Sequence, residues 1–343
     1  MTAPHKTLHL IDDRRMGGVT RFLERVSETR PADETLFVKR GTMRGHSHQA
    51  NTIVSHLAIS WRSLPMLITL RACNPKARIV HVEHSYCAGF ETHRVASHKQ
   101  HRFHSLLRTV YALFDEVVAV SEGQSRWMRD IDVIVDRKIR IAPPLVDLTP
   151  FFDIPAPVPG PALRYGFVGR LDEQKGLDAI LPRWRKVAPA GARFEIFGNG
   201  PMRDTMEILA GDDPRITFHG VTDSPADAYR LFDVAVMPSR WEPFGLSCLE
   251  AQAAGRPVLV APVDGLPEQV RPGGGFVVDG GPEAWDPLFA EGIGTDRIDW
   301  HSAQARLIAT NNAGRSRARW AAILETTDGL SVPYREPQVL AGE

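Results

Sequence analysis

The stretch SRWEPFGLSCLEAQAAGRPVLV, Ser239 to Val260, decides the fold class. An apolar run, VAVMPS, leads into it, and a second apolar run, PVLVAP, closes it. Between them GLSCLEAQAAG has the spacing of a buried helix bounded by glycines. Strand, turn, helix and strand in this order form a parallel crossover. The stretch also carries two acids, Glu242 just ahead of the helix and Glu250 inside it, with seven residues between them.

The same alternation runs outward in both directions. Before it stand LRYGFVG, ARFEIFG and RITFHG as strands, with LDAILPRWRKVA, PMRDTMEILA and SPADAYRLF as helices. From Pro150 to Pro161 the text is PFFDIPAPVPGP, and its prolines cannot donate to a sheet ladder, so it reads as a stiff connector. Upstream the pattern begins again: KTLHLI as a strand, DDRRMGGVTRFLERV as a glycine loop and helix, SHLAISWRSLPMLITLRACNP as a helix, then ARIVHVEH, DEVVAVSEG and KIRIAP as strands. Strands alternating with helices predict an α/β protein of two doubly wound, Rossmann-like domains facing across a cleft. The expected boundaries are 1–150, a Pro-rich linker at 151–162, a second domain at 163–310, and a C-terminal segment at 311–343 that returns to the first domain.

Composition bounds the function. The 343 residues carry 41 basic and 41 acidic side chains, which gives no global case for nucleic acid. The charge is uneven: through Pro150 there are 22 Lys and Arg against 15 Asp and Glu, and 11 of the 13 histidines also fall there. A basic first half fits an anionic surface or partner. Cys73, Cys87 and Cys248 are scattered without metal-ligand spacing, and the N-terminus lacks the apolar core of a signal peptide, which predicts a cytoplasmic protein.

Open parallel sheets take ligands outside the carboxyl ends of their strands. At that edge of the second domain, GFVGRLDEQKG places Arg170 and Lys175 on one turn, two cations able to clamp a diphosphate. FGNGP places Gly198 and Gly200 where backbone groups can flank a flat base. The amides of Gly245 and Leu246 open a helix and suit a phosphate or a sugar hydroxyl. At ~1.5 Å per residue Glu250 lies about 7.5 Å deeper than Gly245, comparable to the step from a diphosphate to its ribose. Glu250 is therefore the expected ribose acceptor, and Glu242 faces the group beyond the phosphates. In the first domain Gly17 and Gly18 let backbone amides approach an anion at a helix start.

These motifs resemble the retaining GT-B glycosyltransferases of family 4, over roughly Thr7 to Leu324 and most strongly from Tyr165 to Val270. GRLDEQKG resembles the family's pyrophosphate-binding motif, EPFGLSCLE its E-x7-E signature, MGGVTRF its first-domain glycine loop, and VEHS its strand-end histidine. The resemblance implies transfer of a sugar from a nucleotide diphosphate to a hydroxyl, with retention, on a glycan or lipid-linked acceptor. It implies Arg170 and Lys175 on the diphosphate, Glu250 on the ribose, Glu242 and His84 at the transferred sugar, and Gly17 and Gly18 on the donor from the opposite domain. UDP is preferred to GDP, and no metal or other cofactor is expected. Pro144-Leu145-Val146-Asp147 departs from the family's N-G-V-D turn.

Two rival readings remain open on sequence: a nucleotide-sugar epimerase on the same frame, and a catalytically silent sugar-nucleotide-binding subunit. The absence of a dinucleotide glycine fingerprint disfavours a dehydrogenase. Finally, HRVASHKQHRFHSLLRTVYALF, His93 to Phe114, holds Arg94, Lys99, Arg102 and Arg108 with four histidines and no acid. It is either a core helix with a solvated basic face or a dock for an anionic membrane surface, peripheral on the inner face.

Overall fold

The computed structural model describes residues 6–12, 17–38 and 48–325. Its strands form two six-stranded sheets. The first contains β1 (Thr7–Ile11), β2 (Glu34–Phe37), β3 (Thr52–Ser55), β4 (Arg78–Glu83), β5 (Glu116–Ala119) and β6 (Ile139–Ile141), in the order β2-β1-β3-β4-β5-β6. The second contains β7 (Arg164–Val168), β8 (Arg193–Phe197), β9 (Ile216–Gly220), β10 (Val234–Met237), β11 (Val258–Val260) and β12 (Gly275–Val277), in the order β12-β11-β10-β7-β8-β9. The pairings are parallel, as the alternation in the sequence requires. The central strands are buried on both faces, which is why β5, β10 and β11 read as largely continuous apolar runs rather than alternating ones.

Helices α1 (Gly18–Thr29), α2 (Leu64–Cys73), α3 (Ala88–Arg94), α4 (Gln100–Ala112) and α5 (Glu122–Asp130) accompany the first sheet. A short turn of helix, α6 (Thr149–Phe152), opens the connector. The second sheet carries α7 (Leu177–Val187), α8 (Arg203–Ala210), α9 (Pro225–Ala228), α10 (Leu246–Ala253), α11 (Leu266–Val270) and α12 (Asp286–Ala290). A 31-residue helix, α13 (Thr295–Glu325), ends the described chain.

Several sequence expectations need correction. The run 55–75 is not one helix: Thr52–Ser55 is a strand, and α2 begins only at Leu64. Ser63 Oγ donates to the Ala58 and Ser60 carbonyls, and Pro65 fits only the first turn, so helix cannot propagate backwards. The SPADAYRLF helix is a single turn. Residue 311 lies inside α13 rather than at a break, and 326–343 falls outside the described residues.

The two domains share one apolar cluster. Phe22, Val54, Val80 and Val118 of the first domain join Phe232, Cys248, Leu249 and Val260 of the second, together with Trp320, Ile323 and Leu324 of α13. Trp320 packs against Phe22 with the rings tilted and 4.6 Å between centroids, and its indole N–H donates to the Pro143 carbonyl at 2.8 Å. The connector is held from the other side: Arg256 donates to the Pro155 carbonyl, and Arg306 to those of Phe152 and Ile154. The carboxyl edges of the two sheets are thereby fixed opposite each other.

Candidate active site

The second-domain rim is built by two neighbouring strand ends. After β7, Gly176 at φ 66° brings the turn so close that a Cβ there would lie 2.1 Å from the Pro238 carbonyl oxygen. That approach delivers Lys175 to Glu242 of the loop after β10, and the ammonium and carboxylate form an ion pair, both largely buried. Glu242 is also held by its backbone: its N–H donates to Asp264 Oδ2 at 2.9 Å. Eight residues on, Glu250 projects from α10 with its side chain 3% exposed. Tyr229 donates its hydroxyl to Glu250 at 3.1 Å, and Arg21 of α1 crosses from the first domain to pair with it. Burial pushes the Glu250 carboxyl above its ordinary value, against the pull of Arg21, the Tyr229 hydroxyl and Lys175. Lys175 thus pairs with Glu242 and also acts on the charge of Glu250, which groups the three side chains in one electrostatic neighbourhood.

Arg170 stands apart. Its side chain is 68% exposed and bonded to Gln174 and Asp172 on its own turn. Gly198 and Gly200 have a packing reason to be glycine: a Cβ at either would fall within 2.3 Å of the carbonyl oxygens of Gly169 or Leu171. Their loop therefore lies backbone to backbone beside the turn that bears Arg170.

The first domain meets this group with small residues and helix starts. A Cβ on Gly18 would come 2.9 Å from Leu246 Cδ1, so the start of α1 lies against the start of α10, next to Gly17 and Gly245. Gly245 itself has φ 95°, a left-handed conformation that favours glycine. Asp264 accepts from the Gly89 amide at 3.0 Å, and Glu268 accepts from the amides of Glu122 and Gly123, so second-domain carboxylates cap the starts of α3 and α5. His84 follows the carboxyl end of β4, and its Nε2 lies 2.9 Å from His56 Nδ1. Burial pushes the His84 imidazole down to about 4, while the Glu83 carboxylate pulls the other way.

Sequence reasoning missed Arg21, Tyr229 and Asp264. Arg21 was visible in MGGVTRF as the cation one helical turn past the glycines, but nothing in sequence ties it to a residue 229 positions away. Among the described residues no three His, Cys, Asp or Glu side chains are grouped to hold a metal ion. Chemically, these groups can offer a largely buried ammonium and helix-start amides to an anion, and carboxylates to hydroxyls.

Two parallel α/β domains, meeting at the carboxyl ends of their strands and strapped by a returning helix, define the GT-B fold. Anabaena HepE, solved in complex with UDP and glucose, superposes with a TM-score of 0.73 over 93% of this chain and 99% of its own, at 15% identity. Within that class, residues 162–295 match the profile of the family described as Glycosyl transferases group 1. An uncharacterized glycosyltransferase of Methanocaldococcus jannaschii is 33% identical over 49% of this chain and 43% of that protein. A D-inositol 3-phosphate glycosyltransferase of Segniliparus rotundus is 31% identical over 64% of this chain and 52% of its own length. The chain spans about half the length of the curated relatives it matches.

Proposed function

We propose that this protein is a glycosyltransferase that moves a sugar from a nucleotide diphosphate, UDP before GDP, to a hydroxyl of a glycan or lipid-linked acceptor, with retention, in polysaccharide or glycolipid assembly. The observation that carries this reading is the grouping of Lys175 with both acids, paired with Glu242 and acting on the charge of Glu250, with Gly18 closing against Leu246 from the opposite domain. HepE was solved with UDP, which supports the choice of base.

On this reading the donor exchanges partners with the protein. The diphosphate takes Lys175 from Glu242, and the ribose hydroxyls take Glu250 from Arg21. The freed Glu242 then accepts from a hydroxyl of the transferred sugar. As the bond from C1 to the diphosphate breaks, its electron pair goes to the leaving phosphate oxygen. Lys175 and the amides of Gly245 and Leu246 stabilise that charge with no reorganisation at the moment of reaction. The acceptor oxygen bonds C1 from the same face and gives its proton to the departing phosphate. The charge is met by the chain's own groups, so the rate should be unchanged by EDTA. Arg170 joins the diphosphate by leaving Gln174 and Asp172.

Incubation with radiolabelled UDP-sugars tests the reading. Transfer to a lipid or glycan extract, with slow release of UDP in its absence, is expected. Isomerised donor without transfer would favour the epimerase; neither product, with UDP still bound, would favour a silent subunit.

The basic stretch 93–114 supports docking on an anionic membrane, by its polar face only. Leu106, Leu107, Val110 and Tyr111 of α4 are spent in the core, and Arg94 pairs with Glu173 of the second domain. The outward residues include His98, Lys99, His101, Arg102 and Arg108, with Arg102 5.3 Å over the half-exposed Trp61 ring and Ile68 exposed on α2. Among the described residues no helix is long and apolar enough to cross a membrane. Flotation with anionic liposomes should decrease in Arg102→Glu and Trp61→Ala; flotation indifferent to lipid charge would end the idea.

A further inference from the structure

Three adjacent strands of the first sheet each contribute one histidine to a file. His9 lies in β1, His56 follows β3, and His84 follows β4. Their rings are stacked, with centroids 5.4 and 5.2 Å apart. His9 Nδ1 lies 3.1 Å from His56 Nε2, and His56 Nδ1 lies 2.9 Å from His84 Nε2. At the far end, His9 Nε2 stands 3.7 Å from the Asp33 carboxylate, which Arg30 holds at 2.8 Å. His9 and His56 are buried, the file is covered by Phe22, and His81 and Glu83 are the charged or titratable neighbours on β4.

A contact of this length between two imidazole nitrogens needs one N–H and one lone pair. A neutral imidazole has one of each, so the direction chosen at either end fixes every ring between. Burial pushes His56 well below its ordinary value and His84 down to about 4, which keeps both neutral. At 3.7 Å the Asp33 carboxylate is too far for a hydrogen bond, but its negative charge favours the N–H of His9 on the nitrogen nearest it. His56 then donates from Nε2 to His9, and His84 donates from Nε2 to His56. The one nitrogen left for a ligand, His84 Nδ1, is a lone pair.

We propose that Asp33, His9 and His56 are positioning residues that set the tautomer of His84, so that His84 meets the donor sugar as a hydrogen-bond acceptor. This rests on the glycosyltransferase reading for the ligand, though not for the file itself. An acceptor nitrogen welcomes a sugar hydroxyl and opposes a carboxylate, so the site selects neutral sugars over uronic acids at that position.

Long-range proton–nitrogen correlation spectra of protein labelled with ¹⁵N-histidine, with His84 assigned by its loss in His84→Gln, test the file directly. The expected result in the unsubstituted protein is pyrrole-type Nε2 and pyridine-type Nδ1 at both His56 and His84. A protonated Nδ1 at His84 overturns the proposal, whatever the activity. In Asp33→Asn the orienting charge is lost, and the nitrogens of His56 and His84 should move together towards averaged shifts; shifts unchanged from the parent protein also overturn it. That variant should raise KM for the sugar nucleotide by about 2- to 10-fold, the worth of one hydrogen bond, while UDP alone binds as before. Weakening of UDP to the same extent would mark a merely structural role and defeat the proposal. Should the expected spectra be found in a protein that transfers no sugar, the file stands and the functional reading falls.

Discussion

The two rims of the cleft solve opposite problems with opposite chemistry. The second-domain rim is charged: Lys175 against Glu242, and Glu250 against an arginine lent by the other domain. Among the described residues the first-domain side presents glycines and helix starts, with His84 at the end of a buried file of stacked imidazoles. Fixed charge suits a diphosphate, whose strength of binding matters more than its direction. Neutral donors and acceptors suit hydroxyls, where direction carries the selection. Lys175 is paired with Glu242 and Glu250 with Arg21, so under the proposed function a donor exchanges ion pairs rather than creating them.

The largest effect should come from the charged rim. Glu242→Ala is expected to lower turnover by about 10²- to 10³-fold, as removal of one preorganised transition-state contact does, with UDP affinity retained because Lys175 loses a competitor. Initial rates of the variant and UDP calorimetry together check this; an unchanged rate removes Glu242 from the mechanism. Glu250→Ala should weaken UDP by about 10- to 100-fold, the worth of hydrogen bonds to a charged group. Arg21→Ala sharpens the comparison, because it leaves the buried Glu250 without its cation. A loss of about 1–3 kcal/mol in urea unfolding is expected, smaller once UDP is bound. No loss would mean that the pair crossing between domains is idle.

The smallest effect belongs to the first-domain side and is a pH dependence. His84 is held near 4 and His56 well below its ordinary value, whereas in the unfolded chain both titrate at about 6.5. The unfolded state therefore binds protons first, and stability should fall as the pH drops from about 6.5 towards 4, then level off for His84. Melting temperatures across that range should show a shallower fall in His84→Gln than in the parent protein. An equal slope would place the titration elsewhere.

How much of this was legible in sequence follows from where the parts come from. The charged rim is carried by two contiguous strand–turn–helix segments, so spacing alone put Lys175, Glu242, Gly245 and Glu250 in order. Arg170 shows the limit of that method: it lies on the right turn, yet its side chain leans outward to Gln174 and Asp172. The histidine file draws single residues from three strands, and no spacing within the chain announces it. Short edge elements were missed for a similar reason. The four residues of β2 are exposed, and the three of β12 begin at Gly275, so neither carries a buried run to read. Helix α13 has almost no single apolar face because Ile298, Ala305 and Ala309 and then Trp320, Ile323 and Leu324 are buried in successive stretches, the last against the first domain.

Calorimetric titration of UDP tests the central claim most directly: that the ammonium and the two acids serve one nucleotide diphosphate. Saturable binding is expected that raises the melting temperature, is lost or weakened at least about tenfold in Lys175→Ala and Glu250→Ala, and survives in Glu242→Ala. No heat and no stabilisation with UDP, GDP or any other nucleoside diphosphate, or binding indifferent to both Lys175 and Glu250, would contradict it.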